Sequence, residues 1–157
     1  MVRKIIERVP DEVLQQDLEK YRQRAVELGA MDAKIITTDM VVIDERVRAK
    51  CIYPKCRWYG TNANCPPYTM DLEQVRKIVG NFHYAVFTRF MIPPELIAGH
   101  SDKEVKRRHR SALKNYEMIS KIEAEAFYDG YYLALIITTE TSLFKRKIDV
   151  ECRALIP

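Results

Sequence analysis

The segment that most limits how this chain can fold is Cys51-Ile-Tyr-Pro-Lys-Cys56-Arg-Trp-Tyr-Gly-Thr-Asn-Ala-Asn-Cys65-Pro-Pro-Tyr68. It carries three of the four cysteines and the single tryptophan. Pro54, Gly60, Pro66 and Pro67 interrupt it. Proline removes a backbone donor and fixes φ, so no single helix or strand can run through all three cysteines. Their thiols meet only if the loop folds around something. That something is a metal centre or a disulfide.

The compartment helps to decide between them. The first residues, Met1 to Asp11, mix charges with short apolar pairs and hold no apolar stretch of signal-peptide length. No apolar run approaches the roughly 20 residues of a membrane span. A cytoplasmic location is therefore expected, with no membrane partner. Thiols there stay reduced, so clustered cysteines read as metal ligands before they read as disulfides. Scattered packing cysteines are the plainer alternative, since free cysteine is often buried. Their density in a loop rich in Pro, Gly and Asn argues against it.

The spacing C-x4-C-x8-C departs from the C-x2-C knuckle of most zinc ribbons. Iron–sulfur clusters take thiolates from irregular loops, and a Cys-Pro step is a feature of ferredoxin runs. Cys51, Cys56 and Cys65 are thus expected to hold an iron–sulfur cluster, [4Fe-4S] above other types, with Zn2+ as the alternative. Cys152 is the candidate fourth ligand, and His83 a weaker one. Trp58, Tyr59 and Tyr68 among the ligands read first as anchors of the loop. They would also shield a centre from water.

The rest of the chain reads as a mixed α/β fold. A length of 157 residues favours a single domain. Leu14, Leu18, Tyr21, Ala25 and Leu28 recur at spacings of four and three, which predicts a helix over Asp11 to Leu28, stopped by Gly29. Ala33 to Thr38 and Met40 to Ile43 are β-rich, with Asp39 a turn or bulge. Val47 to Lys50 reads as a strand entering Cys51, on which Arg46, Arg48 and Lys50 share one face. Asp71 to Val79 is a short helix, and His83 to Phe90 a buried strand. Ser101 and Glu104 have the form of a capping box opening a helix to about Tyr128. Its inner stripe is Val105, His109, Ala112, Tyr116, Ile119, Ile122 and Ala126, which makes His109 a core histidine. Tyr131 to Thr138 then reads as a second buried strand. These elements predict a sheet of about four strands with helices packed on it.

Two basic groups are candidate anion sites. Arg48 and Lys50 would offset a thiolate-ligated centre or hold an anion. Lys103, Lys106, Arg107, Arg108, Arg110 and Lys114 crowd the start of the long helix. Such a run is usually a solvated face, but it also suits the phosphates of a nucleic acid. The net charge of +4 permits such a partner without requiring one. With five scattered glycines there is no nucleotide-binding glycine loop. No nucleophile elbow or carboxylate pair appears, so no enzymatic reaction is read from the chain.

The cysteine loop and its surroundings resemble a family of cytosolic predicted metal-binding proteins without an assigned reaction. The resemblance lies in Val47-Arg48-Ala49-Lys50-Cys51, Cys56, Tyr59-Gly60 and Cys65-Pro66-Pro67. Glu27-Leu28-Gly29-Ala30 and the run from Ile122 to Phe127 leading through Gly130-Tyr131-Tyr132 support it. It spans about residues 20 to 135. It implies metal binding, with a redox partner or a small ligand at the centre. The family continues with a second cysteine group. This chain has Thr141-Ser142-Leu143-Phe144 there, and only Cys152-Arg153 resembles the remainder. A second metal site of the family type is therefore not expected. The apolar end, Ala154-Leu155-Ile156-Pro157, reads as a natural short form or a truncated one. With the many tyrosines, it also makes a homodimer an expected arrangement.

Overall fold

A computed structural model describes residues 9–56, 58–61, 65–94 and 101–137. These hold helices α1 (Asp11–Glu27), α2 (Glu45–Ile52), α3 (Leu72–Gly80) and α4 (Asp102–Tyr128), and strands β1 (Asp32–Thr37) and β2 (Tyr84–Arg89). They form two compact units. One carries α1, β1, β2 and α4; the other carries α2, the cysteine loop and α3.

In the first unit, β1 and β2 pair antiparallel, with Ile35 opposite Val86 and Ala33 opposite Thr88. Helix α1 lies on this sheet and against α4. The core between them is made of small residues: Ala25, Ala30 and Ala33 are buried, and Val86, Phe90 and Ile122 pack around them. Leu18, Tyr21 and Ala25 of the expected α1 stripe are buried, and so are Ala112 and Ala126 of the α4 stripe. Met118 is also buried, from a position the stripe did not include.

Both long helices end in the same device. Gly29, at φ +112°, donates its amide to the Val26 carbonyl, and Ala30 donates to Ala25. Gly130, at φ +100°, donates to Phe127, and Tyr131 donates to Ala126. These paired bonds are Schellman motifs, and the left-handed residue they need is glycine. At the other end of α4 the capping box is present: the Glu104 amide donates to Ser101 Oγ at 3.3 Å, and Glu104 Oε2 accepts from the Ser101 amide at 3.0 Å.

The turn after α4 is clamped to α1. Asp129 accepts from the Tyr21 hydroxyl at 2.7 Å and from Lys20 at 2.6 Å, while the Tyr131 hydroxyl donates to Asp17 at 2.7 Å. Burial first, and then the bond to Asp129, push the Tyr21 hydroxyl well above the usual phenol range. The fold thus favours the protonated phenol. That contribution is complete below pH ~10, the phenol's unfolded value, and is lost as pH rises beyond it. Tyr21→Phe is expected to cost about 1 kcal/mol at neutral pH. It should also flatten the fall in stability above pH ~10 expected of the parent. Urea unfolding of both proteins across the alkaline range measures this; parallel alkaline curves would contradict it.

The sheet is smaller than the expected four strands. Among the described residues it has two. Thr38–Met40 is a 3-10 turn, and the strand expected over Met40 to Ile43 does not form. Asp39, expected at a turn or bulge, sits inside that turn. After Gly130 the chain turns, with Ala134 donating to the Tyr131 carbonyl, and the Ile136 amide is taken by the Glu123 carboxylate at 2.9 Å. Leu133, Leu135 and Ile137 are 80%, 50% and 65% exposed, so the expected buried strand over 131–137 does not form. No helix among the described residues is long and apolar enough to cross a membrane.

Candidate metal centre

The second unit begins with a correction. Val47 to Lys50, expected as a strand, lie within helix α2. Asp44 adopts an extended conformation and its carboxylate accepts the Arg46 amide at 2.7 Å, which caps the helix. Arg46, Arg48 and Lys50 therefore do not share a face. Residues two apart on a helix point to nearly opposite sides. The Arg46 guanidinium turns back onto Asp44 at 2.6 Å and holds its carboxyl below the usual carboxylate range. Lys50 is exposed. Arg48 is half-buried and reaches the Met70 carbonyl at 3.5 Å. It also stands one helical turn before Cys51, so of the two anion candidates only Arg48 is its neighbour on the helix.

Cys51 occupies the last turn of α2 and is half-buried. Its carbonyl accepts the Cys56 amide at 3.0 Å, and the Cys56 carbonyl accepts the Tyr59 amide at 3.0 Å. Gly60, at φ +74°, donates to the Pro66 carbonyl at 2.7 Å. This bond folds the loop back on itself beside Cys65. Glycine reaches that φ without the Cβ penalty of other residues. The Cys65 carbonyl in turn accepts from Tyr68 at 3.0 Å and Thr69 at 3.2 Å. Cys65 is buried, with 4% of its surface exposed, and Cys56 is half-buried. None of the three is in a disulfide.

The loop is also anchored from outside. The α3 capping box between Asp71 and Gln74 starts a helix directly after it. Arg76 of α3 donates to the Ile43 carbonyl at 3.1 Å and pairs with Glu45 at 3.3 Å, which ties α3 to the beginning of α2. Trp58 and Tyr59 are half-buried, as anchors would be, and the Lys55 ammonium sits 5.2 Å from the Tyr59 ring centre. Tyr68 is 57% exposed and anchors little.

The side chains are less gathered than the backbone. Among the described residues, no three of His, Cys, Asp or Glu stand together closely enough to hold a metal ion. The donor set fits a soft metal, because three cysteines outside any disulfide lie on one closed loop. To share one ion the three thiols would have to move together. His83 is exposed and His109 half-buried, and they lie in different units. Cys152 lies outside the described residues. Arg76 and Met70 were not singled out from the sequence. Their partners are 33 and 22 residues away, and no local pattern announces such bonds.

A sequence model described as "Predicted metal-binding protein (DUF2284)" matches residues 34–144, most of the chain. The chain belongs to this family. The match includes α2, the three loop cysteines, α3 and α4. Membership in DUF2284 carries metal binding as a family description and no reaction. No curated protein and no solved structure matches the chain.

Proposed function

We propose that the loop from Cys51 to Cys65 holds an iron–sulfur cluster and that the protein serves in electron transfer. The observation that carries this reading is the closed loop with its three cysteines: the Cys51–Cys56 and Gly60–Pro66 backbone bonds restrain all three positions, and none of the three is in a disulfide. The x4 and x8 spacing and the Cys65-Pro66 step favour iron–sulfur over zinc. Cys51, Cys56 and Cys65 are the ligands, and Cys152 the fourth. Thiols of this kind persist in the reducing cytoplasm, where we place the protein.

A bound cluster would supply reversible one-electron transfer. The chain's own residues do the rest. Arg48, one turn from Cys51, offsets part of the negative charge that ligating thiolates bring. Half-buried Trp58 and Tyr59 limit water at the loop, which tunes the potential of a thiolate centre. Cys65, buried and followed by two prolines, is the most restrained of the three. If the fourth position takes no protein ligand, a small molecule would bind there.

Anaerobic purification, reconstitution with iron and sulfide, and analysis of iron, sulfide and zinc test this. The reading predicts a coloured protein with about four irons per chain. A colourless protein without iron after reconstitution overturns it. Stoichiometric zinc in its place would keep the ligands and make the site structural.

A further inference from the structure

Six of the eight cations on α1, α2 and α3 pair with an acid, and Arg48 and Lys50 of α2 make no ion pair among the described residues. Lys20, Arg22 and Arg24 of α1 each pair with an acid, as do Arg46 of α2 and Arg76 and Lys77 of α3. Lys103, Lys106, Arg107, Arg110 and Lys114 of α4 are all exposed, and among the described residues none of the five makes an ion pair. At 3.6 residues per turn these five fall within an arc of about 100°, in a row about 17 Å long. Buried Ala112 lies on the opposite side of the helix, buried Met118 lies one turn beyond the end of the row, and Asp102 and Glu104 fall to either side.

A straight row of cations on a convex helix is no pocket for one phosphate. It matches a linear polyanion. An anionic membrane is disfavoured, because a helix that lies on lipid needs an apolar face to insert, and that of α4 is used inside the fold. A protein partner is disfavoured, because no apolar anchor lies within the row. Single strands are disfavoured, because no aromatic residue lies there for bases to stack on. Duplex DNA remains. It presents one charge per ~1.7 Å of axis, and its wide major groove admits a helix. We infer that the row Lys103, Lys106, Arg107, Arg110 and Lys114 is a docking surface for the backbone of duplex DNA, without sequence preference. This inference is independent of the metal site.

Binding of the full chain to a mixed-sequence DNA duplex, measured by anisotropy over a range of salt, tests it. Five phosphate contacts predict a slope of log K against log salt of about −4.5, which is a loss of about 500-fold between roughly 50 and 200 mM. Lys106→Ala, Arg107→Ala and Arg110→Ala together should reduce the slope to about −1.8 and the loss to about 12-fold. A control with Arg22→Ala, Lys34→Ala and Lys77→Ala removes the same charge elsewhere and should leave the slope of the parent. Circular dichroism of both variants checks that α4 is intact, and Gln in place of Ala serves if it is not. No duplex binding at low salt, an equal fall in slope in the control, or preference for a duplex of RNA or for anionic vesicles each overturns the inference.

Discussion

Cys65→Ser is expected to lose metal more severely than any other single change in this protein. Cys65 is buried at the point where the loop folds back, between the Gly60–Pro66 bond and the amides of Tyr68 and Thr69 that its own carbonyl receives. Serine keeps that backbone and nearly the same volume but replaces the soft thiolate with a hard, rarely ionised hydroxyl. The loss should exceed the roughly 10–100-fold that follows removal of an outer partner of a metal ligand. Arg48→Ala, which touches no metal in this account, should fall within that smaller range. Iron and sulfide per chain after parallel reconstitution give both numbers. Equal loading of Cys65→Ser and the parent would remove Cys65 from the ligand set.

The largest loss of stability should follow Gly29→Val. Gly29 ends α1 at φ +112°, a backbone that L side chains rarely adopt. A Cβ there would also stand 3.3 Å from Met118 Sδ, closer than ordinary contact. Strain in such a region costs on the order of 1–3 kcal/mol. The β-branched side chain adds overpacking against a buried Met118, again about 1–3 kcal/mol. Gly29→Ala carries mainly the first part. Combining each change with Met118→Ala separates the two, since relief of crowding shows as coupling while backbone strain does not. Urea midpoints of the parent and these variants measure it. A Gly29→Val protein within about 0.5 kcal/mol of the parent, the range of ordinary surface changes, would show that the turn is not fixed as described.

What could be read in advance follows from the range of the interactions. Helices α1 and α4 declare themselves because their apolar residues repeat every three or four positions and their ends carry Ser101, Gly29 and Gly130, each with a local task. Strand β2 was legible as an apolar run between turns, but none of its residues is buried as expected. Helix α2 was not, because Arg46, Arg48 and Lys50 imitate the period of a strand over a segment too short for the helical period to show. Asp44 held the missing signal: a carboxylate just before a run of helix formers is an N-cap. The 131–137 segment is a continuous apolar run, as a buried strand is, but a strand also needs a neighbour for its amides, and Glu123 takes that of Ile136. The clamp of Asp17 to Tyr131, 114 residues apart, left no trace in local pattern.

The loop itself divides along the same line. Its residue types and spacing pointed to metal binding, which the family match supports. How its bonds close, through Cys51 to Cys56 and Gly60 to Pro66, was not. Nor was the position of the thiols, which stand ready on one loop without yet forming a three-ligand group.

The most direct measurement is therefore per-residue thiol labelling of the reduced protein, with and without bound metal, read by mass spectrometry. Cys51, Cys56 and Cys65 should all react in the metal-free protein, Cys65 slowest, and all three should become protected together at the same metal content. A loaded protein in which any of the three still labels at its metal-free rate would contradict a shared centre.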